Sequence, residues 1–422
     1  MKVLVCSSTP NGHYIVETFL KDPRIEHVYH LDAHPNLHFP SERYTPIGTL
    51  SSDKDEREKM ILDSIDIPGI DLAITTQLGF QLWTEFQQKL EEKKIPYITP
   101  NKHIGSMEWS KVYSKKVFEE LDIPTPKYSI VKGHELIEKF PTFKRPFVLK
   151  YDQDYRLGRQ TLIITDENYE EELDRFMNWN GFKWFIRSMY KNDYINKDYI
   201  IEEYVESTRE YSYHAVVNSS GLQFIGAARD YKNMYENDIG PLTDGMGCYA
   251  HVDIDPIVHE YANKIFNYFK EQNIEYKGFM YLGILVDKDG KPWVLEINTR
   301  LGEPEGIGLL SLIENSIPDL LYTVAKNQPI PEIKFLQKKS LCIRLMNKYF
   351  PRINQRLPCK SATISDPPDH ISMYKSSNAL VVNPITFSTV ADNLDDCRDK
   401  LYEYLAKQDT GDFYYRTDIG QI

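Results

Sequence analysis

Short runs of aliphatic and β-branched residues alternate with amphipathic stretches through the first hundred positions. KVLVC (2–6), HVYHL (27–31), DLAIT (71–75) and the shorter PYI (96–98) read as buried strands, whereas 14–20, 55–65 and 80–93 carry the three-to-four-residue apolar spacing of helices. Strands buried on both faces and alternating with helices predict a parallel, doubly wound sheet. Ligands in such sheets lie beyond the carboxyl ends of the strands, here 7–13 and 76–79. MKVLVC is expected to be the first strand rather than a signal peptide, because SSTPNGH breaks the apolar run at once.

The pattern changes after about residue 101. A helix is predicted over 110–121, and DIPTPKY (122–128), with two prolines in three residues, marks a boundary. FVLK (147–150) and 162–165 read as paired strands around a polar loop, followed by an acidic helix over 168–177. Strands are expected over 199–205, 210–217 and 222–228, and 230–251 reads as a long, irregular, glycine-rich functional loop. A helix over 256–271 precedes a hairpin, 283–287 with 292–297, closed by KDGK. Helices over 308–314 and 318–325 lead to the linker NQPIP (327–331). Beyond it come short strands at 341–346, 379–382 and 386–387 and a helix over 394–407.

Composition narrows the class. The 422 residues suffice for two to four domains, and 41% hydrophobic with 27% charged residues is ordinary for a globular chain. A net charge of −12 argues against a basic nucleic-acid surface but leaves room for a local basic pocket. Five scattered cysteines without a CxxC indicate neither a disulfide framework nor a zinc site. No apolar run reaches membrane-spanning length. The expectation is a cytoplasmic monomer or small homo-oligomer acting on small molecules.

The chemistry concentrates in WVLEINTRLGEPEG (293–306). Side chains two apart on a strand share a face, so Glu296 and Asn298 present two hard oxygen ligands together, which suits Mg²⁺ (or Mn²⁺) better than zinc. Arg300 places a fixed cation beside them, and Glu303 and Glu305 follow in a Gly/Pro loop. Lys111 begins a helix and Lys150 ends FVLK beside the loop carrying Arg156 and Gly158; each can reach a phosphate, though either alone reads better as a surface lysine. IIEEYV (200–205) places Glu202 and Glu203 at the end of an apolar strand. There, backbone and carboxylate can read an adenine, or the segment is a charged edge strand. Glu210 is a second ribose candidate. NDIGPLTDGMG (237–247) brings glycines, Gly245 and Gly247 among them, around Asp244, which can accept from an ammonium.

Taken in order, these segments resemble an ATP-grasp enzyme, and more closely the phosphoribosylamine–glycine ligase (glycinamide ribonucleotide synthetase) family. The resemblance rests on the segment 95–128 with Lys111, FVLKYDQDYRLGRQ with Lys150, IIEEYVESTREYSY with Glu202, Glu203, Val205 and Glu210, DIGPLTDGMGCYA, WVLEINTRLGEPE and a closing GDFYYRTDIG. It implies a doubly wound N-terminal domain (1–101), an ATP-grasp domain of two α+β subdomains (102–327) with a lid at about 125–197, and a small β-rich C-terminal domain (328–422). It also implies ATP and Mg²⁺, and an acyl phosphate converted to an amide with release of ADP. In that mechanism Glu296 and Asn298 hold the metal, Arg300 stabilises the transferred group, Lys111 and Lys150 hold phosphates, and the loop 152–160 closes over them. Gly12, His13, Asp244, Gly245, Gly247 and Glu303 would face the substrates.

The chain departs from the family where the amine should sit. The first loop keeps Gly12 and His13 but lacks the family's Arg-Glu; the family's His-Lys-Arg reads Tyr231-Lys232-Asn233; one glycine of the acceptor loop is Asp244; and Ile307 stands where glutamine is usual. A phosphorylated amine calls for arginine or several backbone N–H groups. The expectation is therefore a ligase joining an amino acid such as glycine to an amine that differs from phosphoribosylamine. The alternatives are authentic phosphoribosylamine–glycine ligation and a non-catalytic ATP-binding regulator.

Overall fold

The computed structural model describes residues 1–31, 39, 41–48, 51, 53–76, 80–152, 161–170, 197–348, 360–375 and 385–421. The first unit is a parallel five-stranded sheet: β1 (Lys2–Cys6), β2 (His27–Leu31), β3 (Tyr44–Gly48), β4 (Ile70–Thr75) and β5 (Tyr97–Ile98), in the order β3-β2-β1-β4-β5. The order reverses between β1 and β4, so their carboxyl ends open a crevice at Ser7 and Thr76, bridged by a short hydroxyl–hydroxyl hydrogen bond. The helices α1 (Pro10–Lys21), α2 (Lys54–Ser64) and α3 (Phe80–Glu92) connect the strands. Helix α1 starts earlier than its apolar spacing suggests. Thr9 is extended, Pro10 supplies the first helical φ without needing a donor, and Pro10–His13 form the first turn rather than the predicted loop.

Two helices lead out of this unit. Asn101 and Ser110 cap α4 (Lys102–Trp109) and α5 (Lys111–Glu120), accepting from the amides of Ile104 and Tyr113 at 3.0 and 3.1 Å. An antiparallel sheet follows: β6 (Tyr128–Lys132), helix α6 (Gly133–Lys139), β7 (Phe147–Tyr151), β8 (Thr161–Ile164) and β9 (Asp198–Glu203), in the order β6-β9-β7-β8. Arg156, Gly158 and nearly all of the expected 168–177 helix lie outside the described residues.

The third unit is a long antiparallel sheet. Its strands are β10 (Ser207–Asn218), β11 (Gly221–Asp230), β14 (Gly247–Ala250), β15 (Gly278–Asp287), β16 (Pro292–Asn298), β17 (Lys339–Asn347), β18 (Ser372–Lys375) and β19 (Ile385–Ala391), in the order β16-β15-β10-β11-β14-β17-β19-β18; β20 (Phe413–Tyr414) pairs with β17. Strands β12 (Asn233–Tyr235) and β13 (Ile239–Leu242) form a separate hairpin. The stretch 230–251, expected to be irregular, is therefore mostly hairpin and strand. Its glycines shape the backbone without preventing pairing: Gly247 lies opposite Ile343, where a Cβ would come within 2.4 Å of the Cys342 carbonyl oxygen. The C-terminal strands continue the same sheet through β14–β17. Helices α7 (Ile257–Glu271), α8 (Glu305–Leu310), α9 (Ile317–Ala325) and α10 (Leu394–Leu405) cover it.

Strand β15 is apolar and buried almost throughout, and its face packs with α7 through Tyr261, Ile265, Phe269, Met280 and Leu282. That packing holds neighbouring β16 rigidly at one edge of the sheet. Among the described residues no helix is long and apolar enough to cross a membrane.

Candidate active site

Strand β16 ends the sheet with Glu296 and Asn298 on one face. Glu296 lies opposite Gly283 in the β15–β16 register, and a Cβ on Gly283 would approach Glu296 Cγ to 3.2 Å, so the glycine makes room for the carboxylate. Burial disfavours its charge, yet Lys232, Lys111, Lys150 and Arg300 hold its pKa down at about 2. The Nδ2 atom of Asn298 lies 3.5 Å from Glu296 Oε1, a contact made through the amide nitrogen and not the amide oxygen. Two oxygen donors on one face, one firmly ionised and ringed by cations, fit a magnesium–polyphosphate group, with the phosphates completing the metal's shell.

The lysines come from three directions. Lys111 is the first residue of α5, where the helix dipole disfavours a cation. Burial lowers its pKa, against the attraction of Glu296. Lys150, at the end of β7, pairs with Glu202 Oε2 at 2.8 Å, and Lys115, one turn after Lys111, pairs with Glu202 Oε1 at the same distance. Lys115 is fully buried, and its pKa falls to about 8 through desolvation and the neighbouring Lys150, despite Glu202. Glu202 is thus occupied in fixing two lysines. Glu203 is exposed and accepts from the Lys127 amide at 3.1 Å. Val205 lies in the link from β9 to β10.

Lys232 is the cation that sequence reasoning left without a role. It lines a cleft with Glu210, Asp230, Tyr281 and Gly283. Burial works against its charge, but Tyr281, Glu210, Glu296 and Asp230 hold its pKa well above the usual lysine range. Glu210, a ribose candidate in the sequence, stands in this cleft.

Arg300 is fixed from behind. The Glu108 carboxylate, in the last turn of α4, accepts from the Thr299 amide (2.9 Å), the Thr299 hydroxyl (3.2 Å) and Arg300 Nε (2.9 Å). Asp152, at the start of the loop expected to close, accepts from Ser110 Oγ at 3.0 Å and the Val112 amide at 3.1 Å. It ties that loop's root to the first turn of α5.

The predicted substrate residues divide into two groups. Glu303 and Glu305 are deeply sunk near Asp230 and Arg344. Burial pushes Glu303 up to about 7 against the pull of Arg344 and weaker approaches from Thr9 and the Asn11 amide; among the described residues neither of its oxygens has a partner of good geometry. Burial and mutual repulsion raise Asp230, and burial raises the adjacent Glu305. These three acids, sunk together, can accept from an ammonium or amine. Gly245 (φ 99°) passes so close that a Cβ would lie 3.0 Å from both Asp230 Oδ1 and the Glu303 carbonyl oxygen. Asp244, by contrast, is exposed, while the carbonyls of Asp244 and Gly245 accept from Arg344 Nη1 at 2.9 and 3.0 Å. Arg344 is the lone cation in the apolar run SLCIRLM, a signal the sequence did carry.

Gly12 and His13 are buried in the first turn of α1. A Cβ on Gly12 would overlap Ser7 Oγ, at 2.0 Å. Asn11 Nδ2 donates to the Gly302 carbonyl at 2.7 Å and docks α1 against the Glu303 loop. The N-terminal unit thereby meets the loop that follows β16.

The profile of the family described as "Phosphoribosylglycinamide synthetase, ATP-grasp (A) domain" matches residues 109–306. A phosphoribosylamine–glycine ligase of Thermotoga maritima is 34% identical over 211 residues, covering 49% of this chain and 50% of that protein, so this alignment spans only half of the relative. The corresponding ligase of Streptococcus suis is 24% identical over 439 residues, covering 100% of this chain and 99% of its own. The crystal structure of a Thermotoga maritima phosphoribosylamine–glycine ligase superposes with a TM-score of 0.73 at 23% identity, over 99% of this chain and 100% of that one. With strand β16, the converging lysines and the three sheets in place, the chain belongs to the ATP-grasp superfamily, and its residues 109–306 form an ATP-grasp domain of the phosphoribosylglycinamide synthetase type.

Proposed function

We propose that the protein is an ADP-forming C–N ligase that joins glycine to phosphoribosylamine at the expense of ATP, in the cytoplasm. The observation that carries the reaction class is the convergence of Lys111, Lys150, Lys232 and Arg300 on Glu296. Phosphoryl transfer to a carboxylate needs positioning and charge neutralisation more than a strong base. Glu296 and Asn298 would hold Mg²⁺, which when bound neutralises charge on the transferred phosphate. Lys111 and Lys150 hold the polyphosphate, with Lys150 aimed by Glu202. Arg300, held by Glu108, meets the acyl phosphate as charge builds on it. The amine then displaces phosphate and the amide forms. Asp230, Glu303 and Glu305 hold the amine end of the amino acid or of the acceptor.

The choice of substrates rests on the relatives that align along the whole chain and bear that activity in their names. A second reading, another amine, draws support from the exposed Asp244 on the acceptor loop and from Asn233. Asn233 stands where the family has arginine and spends its side chain on the Gly240 carbonyl at 3.1 Å. The test is ADP release with Mg-ATP, glycine and phosphoribosylamine. Turnover that requires both substrates supports the first reading. Turnover only with a non-phosphorylated amine supports the second, and ATP binding without turnover for any pair rejects both.

A further inference from the structure

The conspicuous buried group outside the nucleotide site is Arg416, in the C-terminal FYYRTDIG. Its side chain is 0% exposed. Nη1 donates to the Asn233 carbonyl at 3.1 Å and to Asp238 Oδ1 at 2.7 Å, while Nε and Nη2 grip Asp418 at 2.8 and 2.6 Å. The guanidinium also lies 4.9 Å from the centre of the Tyr231 ring. It therefore holds the residues on both sides of Lys232, one by its ring and the other by its carbonyl.

The rest of the C-terminal segment grips the same hairpin. Asp418 accepts from the Asn237 amide at 2.9 Å, the Thr417 amide donates to Glu236 at 3.2 Å, Tyr414 bonds Glu236, and the Gly420 amide donates to the Tyr231 hydroxyl at 3.1 Å. Asn237 and Asp238 are both left-handed (φ 60° and 55°), a conformation costly for residues other than glycine and held here from outside. The segment so gripped carries the glycine loop. The Lys232 carbonyl accepts from the Thr243 amide at 2.7 Å, the Tyr231 amide donates to the Gly247 carbonyl at 3.0 Å, and the Met246 amide donates to the Tyr231 carbonyl at 2.7 Å.

We propose that Arg416 is a positioning residue for the acceptor side of the site: by clamping 231–238 it sets both Lys232 and the 243–247 loop against Asp230 and Glu303. A planar, always charged fork suits this task, because it bonds two carboxylates and a carbonyl while its face meets a ring. The partners of Arg416 lie on 231–238 and at Asp418, whereas Lys150 is held by Glu202 and Arg300 by Glu108, so loss of Arg416 should fall more on the amine than on ATP.

This inference rests on the ligase reading, and its test separates the two. Full-length wild type, Arg416→Gln and the milder Asp238→Asn, which keeps the contacts to Asp418 and Asn233, are compared by hydrogen exchange and steady-state kinetics. Arg416→Gln should speed amide exchange across 231–247 at least tenfold, with β15 and β16 unchanged. It should also raise the KM for the amine at least tenfold, with the KM for ATP within twofold. Asp238→Asn should give about a threefold change of the same kind. Unchanged exchange at 231–247 in Asp238→Asn overturns the clamp, as does an equal rise in both KM values. Should wild type turn over no amine, the ligase reading fails and exchange alone decides the clamp. Should Arg416→Gln not fold, Asp238→Asn carries the test.

Discussion

Glu108→Gln isolates the role of the carboxylate behind Arg300. Glutamine keeps the shape and one carbonyl oxygen, which can still accept from the Thr299 amide now bonded at 2.9 Å. Its amide NH₂ must then face Arg300 Nε, so donor meets donor where a charge-assisted bond of 2.9 Å stood. Hydrogen bonds to charged groups contribute about 1.5–3 kcal/mol each. Because the Arg300 side chain is 28% exposed, solvent takes up part of that loss, and a stability cost of about 1–2 kcal/mol is expected. The kinetic cost should be larger, since a shift of about 1 Å in a positioning group can cost on the order of a hundredfold. Steady-state ADP release should show kcat down roughly 10²-fold, about 2.7 kcal/mol, with the KM for ATP nearly unchanged because Lys111 and Lys150 are untouched. Thermal unfolding measured alongside separates lost stability from lost positioning. A Glu108→Gln enzyme with wild-type kcat would refute the reasoning.

Three other perturbations follow from the same geometry. Lys115→Met leaves the buried Glu202 half-neutralised and should cost about 3–5 kcal/mol in urea unfolding, as when one partner leaves a buried ion pair; a cost under about 1 kcal/mol contradicts the triad. Gly245→Ala forces a left-handed alanine against Asp230 and Glu303, so unfolding should show about 1–3 kcal/mol of lost stability, and a neutral result would mean that the loop sits elsewhere. Glu303, raised to about 7 in the fold from an ordinary 4.5, binds more protons folded than unfolded between those values. Its contribution to stability is therefore present at low pH and lost as pH rises from about 4.5 to 7, by up to ~3 kcal/mol. Glu303→Gln should remove that slope, and denaturant midpoints at pH 5 and pH 8 that move in parallel with wild type would contradict the burial argument.

The parallel N-terminal sheet was legible through β1 and β4, whose buried residues read as unbroken apolar runs, and β15–β16 because KDGK closes a hairpin; the edge strand β3 (YTPIG), half exposed, gave no such run. What escaped depended on tertiary partners. Pro10–His13 look like a turn, yet they form the first turn of α1, and the docking of Asn11 on Gly302 adds a tertiary support the sequence does not show. The hairpin β12–β13 is too polar and glycine-rich to announce itself, since its support comes from Arg416, some 180 residues away in sequence. In the site, Glu296 and Asn298 could be placed side by side because one strand carries them two apart, with Arg300 just beyond its end. Lys115, Lys232, Glu108 and Arg344 could not be given roles, because each gains its meaning from a partner on another element. Glu202 illustrates the converse: its position at a strand end suggests a nucleotide contact, and the fold gives its carboxylate to two lysines.

The central claim is that the cations around Glu296 serve amide formation. It is tested most directly by measuring ADP and amide together in one reaction containing Mg-ATP, glycine and phosphoribosylamine, for wild type and Glu296→Ala. The account predicts one ADP for each amide in wild type, with dependence on both substrates, and a loss of at least 10³-fold in Glu296→Ala, the equivalent of roughly 4 kcal/mol. Wild-type ADP release that continues without amide, or a Glu296→Ala protein that still makes amide at the wild-type rate, would contradict it.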